Sequence, residues 1–219
     1  MTTRMPDTLR TELAEAVDRI LGPDLDLHTL VREMEDATRA IRTRSWISAQ
    51  PVGVDQMLKL KSALLPVTDH EPDVTLWTED ETSPVYMRRW WLRRQTTGDG
   101  HGQNGLYVHV FDNDDPEGFH NHPWPSASLV VFGGPIFEDT AHGTTIIDED
   151  RIVLRPAAHR HRIRLRHGPL LHDGTVGRIR TTTLFCTGRR IQDWGFEQPD
   201  GSVKPIARRQ ESAATPPRR

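Results

Sequence analysis

The sequence predicts a mainly β protein, an antiparallel barrel or sandwich of short strands behind an N-terminal helical extension. Three observations carry this. Apolar residues recur at helical spacing through the first fifty positions. After Pro84 the pattern changes to alternation and short extended runs. Turn formers separate those runs at regular intervals, as in a barrel of consecutive antiparallel strands. At 219 residues the chain suits one domain of moderate size with additions, and it can bury a sizeable core.

In the first helix, from Asp7 onward, Leu9, Leu13, Val17, Ile20 and Leu21 share a face, and Gly22-Pro23 ends the run. The second, roughly Leu27 to Ile47, carries Leu30, Met34, Ala37, Ile41 and Trp46. Gln56–Leu65 reads as a third short helix closed by Pro66, so residues 1–66 form the extension. Asp69 to Ser83 is acidic and turn-rich. The barrel is expected over 84–200, with strands at Val85–Arg93, Leu106–Phe111, Ala127–Phe132, Thr144–Ile147, Arg151–Leu154, His159–Leu165 and Arg178–Cys186. Between them lie turn formers such as Gly133-Gly134-Pro135 and Asp148-Glu149-Asp150. The tail 201–219, ending SAATPPRR, has the composition of a disordered segment.

The composition, 35% hydrophobic and 27% charged, is ordinary for a soluble chain. No apolar run approaches a membrane-spanning length and MTTRMPDTLRTELAEAV lacks a signal-peptide apolar core, so no membrane role is expected. The single Cys186 rules out an intrachain disulfide and points to a reducing, cytoplasmic setting; within TTTLFC it reads as a small buried residue. A net charge of −3 hides an asymmetry: between Arg151 and Arg190 there are ten Arg and one acid, Asp173. Such a basic half suits an anionic ligand or partner, or a surface that meets the acidic half.

The chemistry centres on His120-Asn121-His122 and on Pro156-Ala-Ala-His-Arg-His161. Alternate residues of a strand face the same side, so His120 and His122 project together and can chelate one ion. By the same parity His159, His161, Ile163 and Leu165 share one face and Arg160, Arg162, Arg164 and Arg166 the other. The hydrophobic face belongs inside, which brings in His161 and leaves His159 as the alternative third ligand. Three imidazoles with open coordination positions suit a metal that binds and activates a substrate. Their neutrality leaves the ion its full charge, which favours a small anionic substrate.

This arrangement resembles the cupin superfamily, a double-stranded β-helix or jelly-roll barrel, over roughly Val85 to Phe196. His120-Asn-His122 matches its first motif, although Ser126 and Ala127 stand where that motif has Glu. Pro156 and His161 match the second, with Ala158 in place of a Gly. The resemblance implies a three-His centre for a divalent metal: His120, His122 and His161 holding Fe(II), with Zn, Mn or Ni as other candidates. Within the superfamily the layout, with helices before the barrel, is most similar to the thiol (cysteine) dioxygenase branch, and His122-Pro123-Trp124 and Trp194-Gly195-Phe196 are similar to motifs of uncharacterised small cupin proteins of bacteria and phages. Tyr86-Met-Arg88 sits where that branch has Tyr-x-Arg, which implies that Arg88 fixes an acidic group of the substrate and Tyr86 donates a hydrogen bond. By strand parity Arg88 shares a face with Tyr86, Trp90 and Leu92, and Arg89, Arg93 and Arg94 fall outside. Thr181, Thr183 and Phe185 replace the branch's Ser, His and Tyr series, so cysteine itself is not the expected substrate. His122 stands where 2-oxoglutarate oxygenases need a carboxylate, which disfavours that cofactor.

Other features have plainer accounts. His109 reads as a packed or hydrogen-bonded residue, and Trp90, Trp91 and Trp124 as core or pocket wall. Asp112, Asp114, Asp115 and Glu117 read as a solvated turn, since Pro116 breaks any calcium loop. The Arg160–Arg166 stripe reads as a solvated face, with nucleic acid the lesser alternative. The function expected is a metal-dependent cupin enzyme, a non-haem Fe(II) dioxygenase-like oxidoreductase. The alternatives are a metal-dependent isomerase, lyase or nucleotide-modifying enzyme, or a non-catalytic ligand- or nucleic-acid-binding cupin. Barrel edges leave a homodimer open.

Overall fold

A computed structural model describes residues 3–40, 48–78, 83–96, 102–115, 118–170, 176–198 and 200–205. Helix α1 (Asp7–Leu21) buries Leu13, Ala14, Val17 and Leu21, and Gly22, at φ +74°, closes it by donating to the Asp18 carbonyl. Helix α2 (Leu27–Ala40) begins at Asp26, whose carboxylate accepts the His28 and Thr29 amides. The expected continuation to Ile47, with Ile41 and Trp46, lies outside the described residues. Helix α3 (Val54–Leu64) starts two residues before the expected Gln56. The Gln56 side chain is the reason: its Oε1 accepts the Gly53 amide, and its Nε2 donates to the Ile20 and Leu21 carbonyls at the end of α1.

The strands, in chain order, begin with β1 (Ser48–Pro51), β2 (Val74–Trp77), β3 (Val85–Thr96), β4 (Gly102–Phe111) and β5 (Ser126–Phe132). There follow β6 (Ile136–Thr140), β7 (Gly143–Ile147), β8 (Arg151–Arg155), β9 (Arg162–Leu165) and β10 (His167–Leu170). Last come β11 (Val176–Arg178), β12 (Thr181–Thr187), β13 (Gly195–Glu197) and β14 (Val203–Pro205). One seven-stranded sheet runs β1-β8-β5-β12-β4-β3-β2, and a smaller one runs β7-β6-β9. Isolated bridges extend the smaller sheet: His120 pairs with His161 and with Phe196.

From β4 the chain crosses to the smaller sheet at His120, returns at β5, crosses again for β6 and β7, and returns at β8. It then crosses at His161–β9 and returns at β12. That winding is the double-stranded β-helix, so the expected jelly-roll barrel with N-terminal helices is the fold observed. Gly133, at φ +79°, makes the turn from β5 toward β6; a Cβ there would lie 2.1 Å from the Arg180 carbonyl oxygen.

The helices cover the outer face of the large sheet. Leu13, Val17, Leu60 and Leu64 meet Trp90, Leu92, Leu106, Val108, Leu129, Ile152 and Leu184 in the larger apolar core. The barrel interior holds a smaller one: Met87, Phe111, Val130, Ile136, Ile147, Val153, Ile163 and Leu165. Several elements depart from the sequence expectation, among them β1, which pairs with β8 from within the stretch read as helical extension, and the short β10 and β13. Strand β2 crosses the stretch read as acidic turn, and β6 follows Pro135 where no strand was expected. The run Arg178–Cys186 divides between β11 and β12. The start of the tail is ordered, because β14 pairs with β13; residues 206–219 lie outside the described residues.

Candidate metal centre

The three histidines come together. His120 and His161 exchange backbone hydrogen bonds at 3.0 Å each way, so the two motifs are adjacent rungs of one ladder. The His122 amide donates to the Ala157 carbonyl, and Gln192 Nε2 clamps both carbonyls, of His122 and Ala157. Asn121 points away, as strand alternation requires, and its Oδ1 accepts the Gly195 amide. The rings form a near-equilateral triangle, with centroids 5.0 Å (His120–His161) and 5.1 Å (the other two pairs) apart.

One nitrogen from each ring lies within 4.8 Å of the others. The Nε2 atoms of His122 and His161 are 3.2 Å apart. Two nitrogens bound at about 2.05 Å to one ion stand about 2.9 Å apart at a right angle and about 3.3 Å apart at the tetrahedral angle. The observed spacing falls between those values. Burial first, and then the neighbouring imidazoles and Arg155, hold His122 and His161 well below the usual imidazole range. Both therefore present neutral lone pairs at physiological pH, the form a metal needs.

His159 belongs to a different cluster. Its Nε2 is 2.8 Å from Glu138 Oε1, and its ring neighbours that of His161 at 5.2 Å. The geometry thus selects His161 as the partner of His120 and His122. Glu138, with His159 and His161, could form a second grouping of metal-binding type. Its carboxylate is, however, engaged by the Arg155 guanidinium at 2.5 Å, and a cation beside a buried guanidinium is disfavoured. Burial raises the Glu138 pKa, but Arg155 and His159 outweigh it and leave the group below the usual carboxylate range.

Around the trio stands an aromatic and polar wall. Trp124 stacks on His122 at 5.8 Å, and Trp194 and Phe196 meet the His120 ring. Strand β12 turns Thr181, Thr183 and Phe185 inward, as expected, and Phe185 stacks on His109 at 4.9 Å. His109 is buried, packed and hydrogen-bonded, accepting from Arg89 Nε at 3.0 Å. Burial, then Arg89 and His122, keep its pKa well below the usual value.

Arg88 does not stand where strand parity put it, although Tyr86 does reach the interior. Arg88 shares a face with Trp90 and Leu92, but that face is the outer one beneath the helices, and its guanidinium pairs with Asp112. Arg89 is the inward arginine, with its guanidinium over the Tyr107 ring as well as against His109. The reason is that the apolar face of β3 is the one the helices cover. A bulge at the start of β3 gives Tyr86 the interior side: Leu76 and Trp77 oppose Met87 and Val85. Its hydroxyl donates to Asp115, whose other oxygen accepts the Ile163 amide at 2.6 Å and lies 4.0 Å from His120 Nδ1. Asp115 is therefore a buried brace behind His120, not a member of a solvated turn. Glu117 lies outside the described residues. Burial, then Asp115, raise the Tyr86 phenol well above its usual value.

Sequence reasoning missed Arg89, Asp115, Glu138 and Arg155. For Glu138 the signal was Ile136-x-Glu138, an alternation that places it beside an interior isoleucine. The Arg stripe is outside, as expected, and largely engaged: Arg160 pairs with Glu197, Arg164 with Asp139, and Arg162 donates to the Asp115 carbonyl. Among the described residues no helix is long and apolar enough to cross a membrane.

No protein-family model and no curated protein matches the chain. Solved structures of similar layout include the DMSP lyase DddQ from Ruegeria pomeroyi DSS-3, at 15% identity and TM-score 0.47, covering 90% of this chain and 100% of that one. A chain from the structures of the DMSP lyases RdDddP and RnDddQII gives 16% identity and TM-score 0.48, covering 87% and 98%. A cupin 2 conserved barrel domain protein from Rhodopseudomonas palustris gives 11% identity and TM-score 0.39, covering 58% and 78%. In the winding of its strands and the place of its two histidine motifs, the chain has a cupin-type barrel.

Proposed function

We propose that the protein is a metal-dependent enzyme in which His120, His122 and His161 hold one divalent ion, with Fe(II) the ion that best serves the chemistry. The observation that carries this reading is the convergence of three imidazole nitrogens, two of them 3.2 Å apart, inside a barrel. Three protein ligands leave positions open, and iron so held supplies one-electron chemistry with dioxygen. The class of reaction is a dioxygenase-like oxidation of a small anionic substrate.

The chain's own residues then bind and shield. Arg89 takes the anchoring role that the Tyr-x-Arg resemblance gave Arg88, because it brings its charge to the same interior space as His122. Tyr86 acts at one remove, steadying Asp115 behind His120. Trp124, Phe185 and Phe196 pack about the imidazoles and exclude water from them.

A second reading is favoured by His109, a buried neutral imidazole whose Nε2 accepts from Arg89 and whose proton therefore sits on Nδ1. That group suits proton transfer in an isomerase or lyase whose ion acts only as a Lewis acid. The test is anaerobic purification, elemental analysis and oxygen-uptake measurement with candidate thiols, amino acids and nucleotides. Metal at one per chain with uptake for one class supports the oxidation. Metal with no uptake moves the assignment to the second reading, and a His122→Ala variant that keeps its metal overturns both.

A further inference from the structure

Behind His161 lies a buried polar cluster to which the metal centre assigns no part. Strand β6 turns Ile136 and Glu138 inward, and the Glu138 side chain is 0% exposed. Its Oε2 accepts from Arg155 Nε, and its Oε1 is 2.8 Å from His159 Nε2. Arg155 Nη1 donates to Ser128 Oγ. Arg155 on β8, itself held by Ser128 on β5, and His159 in the turn before β9 thus fix one carboxylate, and the Arg155 charge balances it, so it is not a spare ligand.

Next to it is an anomaly. His161 Nδ1 is buried and has no hydrogen-bond partner. Its nearest carboxylate oxygen is Glu138 Oε2, at 3.5 Å. With Nε2 turned to His122, a metal-bound neutral His161 must carry its proton on Nδ1. An N–H buried without an acceptor forfeits its hydration uncompensated, and metal ligation makes that N–H a stronger donor.

From this geometry we infer that Glu138 is a positioning residue for the metal centre: its carboxylate, fixed by Arg155 and His159, accepts the Nδ1–H of His161 and thereby sets the tautomer and ring angle of the third ligand. The inference rests on the three-histidine reading. Closing the contact means shortening the 3.5 Å separation to an oxygen that Arg155 already holds. Glu138 stands on neither histidine motif, so the motifs alone do not point to this role.

The experiment uses full-length protein freed of metal with a chelator and titrated with Co(II), whose visible spectrum reports the ligand field. Zn(II)-loaded protein serves for long-range 1H–15N NMR of the histidines. Replacement Glu138→Gln keeps shape and removes the negative charge; it should weaken Co(II) binding by roughly ten- to a hundredfold and alter the spectrum. In the wild-type zinc form His161 should appear as the Nδ1–H tautomer, with that proton shifted on Glu138→Gln. Because the isosteric change can itself disturb Arg155, the melting temperature of the metal-free variant is read in parallel, and Arg155→Lys is the second variant, retaining the charge that holds Glu138. An Arg155→Lys protein that binds Co(II) more tightly than Glu138→Gln supports the inference. Equal Co(II) affinity and spectrum in wild type and Glu138→Gln overturns it while leaving the three-histidine centre intact. Wild-type protein that binds no Co(II) overturns both.

Discussion

The seven-stranded sheet has two faces with opposite characters. On the outer face β3, β4, β5 and β12 present Trp90, Leu106, Val108, Ala127, Leu129, Leu184 and Cys186 to the helices, and these belong to the larger apolar core. On the inner face the same strands present Arg89, Tyr107, His109, Ser128, Thr183 and Phe185, with Arg155 from β8. The larger share of apolar burial lies on one side of a single layer of backbone, and the polar chemistry, beside the smaller apolar cluster of Met87, Phe111, Val130 and Val153, on the other. The helices make this division work: by covering the outer face they supply most of the apolar burial, which leaves room for polar side chains on the inner face.

The sharpest break of the comparison is at the inner face. His122→Ala should weaken metal binding by about 2.5–4 kcal/mol, a ligand's share of the ~10–16 kcal/mol of four-ligand zinc sites. The melting temperature of the metal-free protein should hardly change; a large fall would mean that the inner face also carries the fold. Leu184→Ala, one residue from the inward Thr183 and Phe185, should do the reverse. Leu184 is 0% exposed, so denaturant titration should show a loss of about 2–5 kcal/mol, with Co(II) affinity unchanged.

The adjacent arginines of β3 test the division at closer range. Arg89→Met should weaken azide binding to the Co(II) form by about 1.5–3 kcal/mol, the worth of a charged hydrogen bond, read from the visible spectrum. Arg88→Met should leave azide binding alone and cost under about 1 kcal/mol of stability, its pair with Asp112 being partly exposed. Equal effects from both would remove the distinction between the faces.

The smallest effect is expected on the solvent side of the smaller sheet. The hydrogen bond from Arg164 holds the Asp139 carboxyl down at about 2, from an ordinary 3.8. Its folded pKa is depressed, so the contribution is present above 3.8 and is lost as pH falls through about 2. Asp139→Asn should flatten the acid limb of a stability–pH curve over that window by under about 1 kcal/mol.

The same division explains what could be read from the sequence. Strand β9 borders solvent on its outer side, so its apolar residues Ile163 and Leu165 face inward and its arginines face out. There the assumption that apolar means interior placed His161 correctly. On β3 the assumption inverts, because Trp90 and Leu92 face helices rather than the barrel, and Arg88 was taken for Arg89. Helix and strand types were legible from periodicity. The short β6 was not, since five residues with two acids at Glu138 and Asp139 look like a loop until Glu138 is seen buried against Arg155. Asp115 had no signal in the sequence: its burial comes from Tyr86 and the Ile163 amide, far off along the chain.

One consequence follows from the rung that joins His120 to His161. A chain emerging from the ribosome has made His120 and His122 long before it has made the segment that completes the triangle. Until some forty further residues are out and β9 has been laid beside β6, the growing protein carries only a two-toothed claw. The three-ligand grip proposed for the trio is thereby deferred until the His161 segment has been made and paired with His120, while β12, at the centre of the large sheet, is still to come.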